Sequence, residues 1–378
     1  MARAPALDGL RGLAALSIVV LHAWLYTTTT QQKGDSVLDG VVHQFRLGVP
    51  LFFCLSGFLL YRAWVVAVRD GTPAPRVAEY ARRRAWRIVP AYALALVGAT
   101  ALLVPFGDVR GVDVPETHLL ALFVIFASNL HPETVGALDP PMWTLAVEVQ
   151  FYVLLPLLAV AATAGGRRHR GWLLAAPALL ILGGTLFNLA TAGRPGSMVV
   201  AASLAALAPC FGCGMAAAVL AERRWVTTRA ATIALVAVGV ALVVANGVWH
   251  EQHAGAAGRV LRDLPAAVGF AAIVVVCAGR GRGWLAARPL QVLGDLSFPI
   301  YLWHMPLMLA LRGVGLFPEQ RPFAALAAVL AVTLPVAWLS WHLVERPLLR
   351  WSAARERTRR RAGPGLALLQ PAQQRAAA

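Results

Sequence analysis

"LDGLRGLAALSIVVLHAW" occupies Leu7–Trp24. Most of it could dissolve in a bilayer, yet Arg11 stands near one end and His22 near the other. At 100° per residue, eleven residues bring the two back to within about 20° of each other around a helix, about 16.5 Å apart along its axis. They share one face. A snorkelling arginine and a hydrogen-bonded histidine are the plain explanation of such a helix. The alternative is that ionisable groups within a span mark a pathway or a site.

The rest of the chain repeats the pattern. Of 378 residues, 58% are hydrophobic and 14% charged, a composition outside the range of soluble domains. Apolar runs long enough to cross a bilayer lie near 10–27, 47–66, 88–106, 143–163, 171–191, 199–221, 230–248, 263–279, 290–312 and 322–343. They predict an all-α polytopic membrane protein of about ten transmembrane helices. Its membrane domain covers 1–350. A basic cytoplasmic tail covers 351–378, and its Ala/Gln/Pro-rich end is disordered by composition. The first run reads as a retained span rather than a cleaved signal peptide.

The formal charge is +16, and Lys33 is the only lysine. The arginines cluster in short loops between apolar runs. Membrane orientation explains them, since no fold that reads nucleic acid accompanies them. Arg62, Arg69, Arg76, Arg82, Arg83, Arg84 and Arg87 place the connection after the second run in the cytoplasm, and the N-terminus with it. "HLLALFVIFASNL" (118–130) is short for a span. Only if it does not cross do the other basic groups also fall inside. These are "GRRHR" (166–170), Arg223, Arg224 and Arg229, Arg280, Arg282 and Arg288, and "RERTRRR" (355–361). It is therefore predicted to be re-entrant or interfacial, with both termini cytoplasmic. The four cysteines, Cys54, Cys210, Cys213 and Cys277, lie in apolar runs. The single Cys210-x-x-Cys213 sits among Phe211, Gly212 and Gly214 and reads as small-residue packing. Zinc motif, Gly-rich phosphate loop and nucleophile elbow are all missing from the sequence, so no metal is expected.

Polar groups inside the spans carry the chemistry. "FFCLSGF" (52–58) places Ser56 about 13 Å below the outer surface, and "MWTLAVEVQFY" (142–152) places Glu148 about 8–10 Å down. "LGDLSFPIYLWHMPL" (293–307) carries His304 to the level of His22. Four helices thus offer His22, Ser56, Glu148 and His304 to one layer. Ordinary explanations exist for most of them. Ser56 can back-bond to its own helix, and His304 can anchor at an interface. Ser297, Tyr301 and His304 form an i, i+4, i+7 stripe suited to helix–helix hydrogen bonds. Glu148 needs a partner, and a histidine is the natural one, giving a general base held by a carboxylate. "RRRAWRIVPAY" (82–92) sets Arg84 and Arg87 at a helix start, for orientation alone or as a phosphate clamp.

In their order along residues 6–350, six stretches resemble the acyltransferase-3 family of integral membrane acyltransferases. They are "LDGLRGLAALSIVVLHAW", "LGVPLFFCLSGFLL", "RRRAWRIVPAY", "MWTLAVEVQFYVLLP", "LGDLSFPIYLWHMPL" and "VERPL". The resemblance implies a ten-span α-helical fold in a bacterial inner membrane. It also implies transfer of an acyl group, commonly acetyl, from cytoplasmic acyl-CoA to a hydroxyl of a sugar or other polar acceptor, without a bound cofactor. The family's arginine-ten-residues-histidine signature falls on Arg11 and His22, its arginine pair on Arg84 and Arg87, and its tryptophan-to-glutamate segment on Trp143, Glu148 and Tyr152. This chain departs from the pattern at Pro50, where many members carry an acid. It also has no room for the hydrolase-like domain of some members.

The expected site therefore has His22 and Glu148 as catalytic groups. Arg11, Arg84, Arg87, Ser56, Trp143, Tyr152, Tyr301 and His304 are expected to contact substrates. A transporter or flippase of a polar lipid or sugar is the competing class. The lack of an internal repeat speaks against it. Envelope polysaccharide, glycolipid and secondary metabolite stay open as acceptors. Arginine-for-lysine bias and alanine richness point to a GC-rich bacterium.

Overall fold

The computed structural model describes residues 4–27, 36–107, 111–193, 197–222, 228–252, 258, 261–279 and 283–361. Arg223, Arg224, Arg280, Arg282 and the tail beyond Arg361 lie outside the described residues. Among those described, every regular element is helical. Backbone groups in hydrocarbon must be satisfied within their own segment, and a helix does this.

The helices are α1 (Pro5–Thr27), α2 (Val37–His43), α3 (Gly48–Arg69), α4 (Val77–Leu103), α5 (Leu120–Val124), α6 (Met142–Arg168) and α7 (Ala175–Thr191). They continue with α8 (Met198–Ala201), α9 (Leu204–Ala221), α10 (Arg229–Gln252), α11 (Leu264–Gly279), α12 (Arg288–Gly313), α13 (Pro322–Ser340) and α14 (Arg346–Arg361). Among the described residues, eight helical segments are long and apolar enough to cross a membrane. The two remaining predicted spans are helices as well. Helix α11 is short at 16 residues, and α12 carries Arg288, Asp295 and Arg312 along its 26. Helices α2 and α3, joined by a 3-10 turn, form one continuous rod, Val37–Arg69.

The 118–130 stretch forms no helix long enough to cross a bilayer. It breaks into Thr117–Leu119, α5 and Ser128–Leu130. Protein covers part of it, burying Phe123, Ser128 and Asn129 and leaving Val124, Ile125 and Leu130 exposed. Tyr92 Oη donates to Phe123 O over 2.8 Å, and Gln150 Nε2 donates to Asn129 Oδ1 over 2.8 Å.

Small residues set the closest helix contacts. A Cβ on Gly214 of α9 would overlap the Cys54 carbonyl of α3, and one on Gly294 of α12 would overlap the Asp8 carbonyl of α1. Backbones meet directly at both places. Cys54, Cys210, Cys213 and Cys277 are free and buried, consistent with packing. After α13 the helix runs on through one π-turn, Trp341–Glu345, into α14, which packs beside α4. There Trp86 meets Trp351 edge-on at 4.9 Å, and Arg83 Nε donates to Glu356 Oε2 over 2.9 Å.

Candidate active site

A cavity of about 360 Å³ lies between the first halves of α1, α4 and α6 and the first two-thirds of α3, with α12 behind it. Its charged wall holds Arg11, Arg62, Arg84 and Arg87 against Asp8 and Glu148. Arg11, Arg84 and Arg87 lie within electrostatic reach of one another. Arg84 sits over the Tyr152 ring at 5.9 Å, and its buried Nε has no hydrogen-bond partner among the described residues. Arg62 is committed elsewhere, donating to Glu222 Oε1 over 2.8 Å. Such a wall suits an anionic ligand, because arginine forks match phosphate oxygens.

Glu148 is fixed from two sides. Ser56 Oγ of α3 donates to its Oε1, and so does Tyr152 Oη, at 2.5 Å from the next turn of α6. The cavity ends at a hydroxyl pair. Thr144 Oγ1 and Tyr301 Oη are 2.7 Å apart, and Phe52 packs edge-on against the Tyr301 ring at 6.0 Å.

Beyond that pair lie the two histidines. His304 is fully buried, and its Nδ1 faces Tyr301 O at 2.8 Å and Ile300 O at 3.2 Å. Only an N–H satisfies two carbonyls, so Nδ1 carries the proton. In the neutral pair His304 Nε2 is then the acceptor, and His22 Nδ1–H donates to it over 2.8 Å. The rings lie within 3° of parallel with centroids 5.1 Å apart, as an in-plane N–H···N bond requires. His22 Nε2 is left with a lone pair, the form a general base takes.

The acyltransferase domain model matches residues 5–342, nearly the whole chain. The chain belongs to the acyltransferase-3 family. It is 31% identical to the exopolysaccharide production protein ExoZ of Rhizobium meliloti, over 85% of this chain and 96% of ExoZ. It is 25% identical to acyltransferase MdmB of Streptomyces mycarofaciens, over 92% of each. It is 22% identical to O-acetyltransferase OatA of Staphylococcus aureus, over 91% of this chain, which spans 57% of OatA's length. No solved structure matches the chain.

In this acyltransferase the expected residues fall into two groups. The cavity collects Arg11, Ser56, Arg84, Arg87, Glu148, Tyr152 and Tyr301. His22 and His304 are not among its lining residues and pair with each other instead. The expected His22–Glu148 pairing is not present, because Ser56 and Tyr152 hold Glu148 and the Thr144–Tyr301 pair stands between the two sites. Trp143 also misses the cavity. Five residues before Glu148 is about 140° around the helix, and Trp143 packs into the neighbouring hydrophobic core. Ser297 does line the cavity, yet its hydroxyl is spent on Gly294 O at 2.8 Å.

Three residues escaped the sequence reasoning. Thr144 carried no signal beyond its place one turn before Glu148. Glu345, in "VERPL", is buried, takes the Ser340 hydroxyl at 3.2 Å and lies within electrostatic reach of Arg87 and Arg11. An acid closing an apolar run was its signal. Asp139 lies in the connection ahead of α6, where burial pushes its carboxyl well above the usual carboxylate range. A lone acid in a loop gave no warning.

Proposed function

We propose that this membrane acyltransferase moves an acyl group, acetyl by preference, from acyl-CoA to a hydroxyl of a sugar-bearing acceptor. The donor enters at the arginine-lined end, which we place at the cytoplasmic face of a bacterial inner membrane. The observation that carries this reading is the order of groups along α1. An arginine cluster suited to phosphates comes first, then a hydroxyl-lined cavity, then a histidine with a free lone pair. The names of ExoZ, MdmB and OatA support acyl transfer and a polysaccharide-related acceptor.

In this mechanism Arg11, Arg84 and Arg87 bind the donor's phosphates, and the pantetheine arm follows the cavity. The thioester reaches the histidines when the Thr144–Tyr301 bond opens. His22 Nε2 takes the acceptor's hydroxyl proton as its oxygen bonds to the acyl carbon. The C–S bond breaks, and the proton passes from His22 to the departing CoA thiolate. His304 holds the His22 ring and steadies its charged form. Glu148, held by Ser56 and Tyr152, balances the arginines and keeps Tyr152 beneath Arg84.

The test uses purified protein in nanodiscs with acetyl-labelled CoA. Label should move to a hydroxylated acceptor, and His22→Ala, checked for folding, should stop it. A His22→Ala variant that transfers at the wild-type rate overturns the mechanism. A transporter would move its cargo without consuming thioester.

A further inference from the structure

The connection between α4 and α6 contains a carboxyl with nothing bound to it. Asp139 is 1% exposed, and neither of its oxygens has a hydrogen-bond partner among the described residues. Native proteins pair nearly all such groups, and those left unpaired cost stability. The backbone is strained beside it. Leu138 has φ 58°, a left-handed conformation unfavourable for leucine, and donates its N–H to Asp113 O. Phe126, in the same connection, has φ 57°. Strain of this kind collects at functional sites.

Its surroundings locate it. The phenols of Tyr26, Tyr92 and Tyr301 all lie within electrostatic reach of the Asp139 carboxyl. Tyr26 is one turn past His22 on α1, and Tyr301 is one turn before His304 on α12. The carboxyl thus sits at the level of the histidine pair. It is outside the arginine cavity, which stops at Thr144 and Tyr301. Two other buried polar atoms lack hydrogen-bond partners among the described residues, Ser128 Oγ of the same connection and Trp303 Nε1, next to His304 in sequence.

We propose that Asp139 is the anchor of the acceptor site, taking hydrogen bonds from the hydroxyls of a sugar while one further hydroxyl faces His22. This rests on the acyl-transfer reading above. A carboxyl accepts from hydroxyls and offers a phosphate no positive charge, so its chemistry fits the second substrate. The partly exposed Tyr26 adds an aromatic group against which a sugar can pack. The bound acceptor supplies the missing partners.

Asp139→Asn tests this in the full-length protein in nanodiscs, with Asp139→Leu as a second variant. The probes are acetyl-CoA and the methyl glycosides of glucose, galactose and N-acetylglucosamine. Removing an unpaired buried carboxyl should raise Tm in both variants. The glycoside KM should rise at least about fivefold, the worth of one neutral hydrogen bond, with the acetyl-CoA KM within about twofold of wild type. A lower Tm with unchanged KM values would mean a structural role and overturns the proposal. An unchanged glycoside KM with unchanged Tm overturns it too, while leaving the acyl-transfer reading intact. A wild type that transfers acetyl to none of the glycosides, in a preparation that also leaves acetyl-CoA unconsumed, overturns both.

Discussion

Two polar regions lie along one face of α1, and they are built in opposite ways. At residues 8–11 the helix meets a cavity rich in charge, with four arginines and two acids around about 360 Å³. At residue 22 it meets an imidazole pair, with Arg312 over the neighbouring Tyr26 ring and a carboxyl that has no hydrogen-bond partner among the described residues. Fixed charges in the first await a charged ligand and need only be near. In the second a proton must be placed on a chosen nitrogen, so geometry matters. In the proposed mechanism, binding and chemistry are separated by about three helical turns.

The sharpest way to break this comparison is His22→Ala. Loss of a general base should lower transfer by about 10²- to 10⁴-fold with little change in acetyl-CoA KM, read by label transfer from acetyl-CoA. His304→Gln should cost about 10- to 100-fold in kcat, the worth of one hydrogen bond to the charged His22, and should shift the pH–rate profile. Arg84→Ala belongs to the other region. It should raise the acetyl-CoA KM about tenfold and leave kcat near wild type, and an unchanged KM would remove Arg84 from the donor site. Gly57→Ala tests the cavity through its packing, since a new Cβ would overlap the Phe211 carbonyl. Overpacking of this kind costs about 1–3 kcal/mol. It should lower Tm and loosen the neighbouring Ser56–Glu148 contact while sparing the histidines.

The smallest effect concerns pH. The Asp139 carboxyl titrates above its unfolded value, so in that window the folded chain holds a proton that the unfolded chain has lost. Stability should therefore fall as pH rises from the ordinary carboxylate range toward the folded value. Asp139→Asn should flatten that slope, measured as Tm across a pH series.

The fold was legible because long apolar runs and arginine-rich loops obey bilayer rules. The shared face of Arg11 and His22 followed from helix geometry alone, and the Arg84–Arg87 spacing marked the cavity wall. Lateral partners were hidden. Nothing local connects His22 with His304, 282 positions away. The single polar layer also failed, for a reason of depth. Its estimate took the second span to begin near residue 47, but the helical rod begins at Val37. Ten more residues put Ser56 about 15 Å further along, at the arginines' end with Glu148. Asp139 was invisible because what distinguishes it is the lack of a partner, which only three dimensions reveal.

The contact between α14 and α4 has a mechanical consequence. Trp351 and Glu356 grip Trp86 and Arg83, the immediate neighbours of Arg84 and Arg87. The end of the chain is therefore a lever on the third span. A clip, fusion or binding partner at residues 351–356 would move the arginine wall by way of a single helical turn, without touching the cavity.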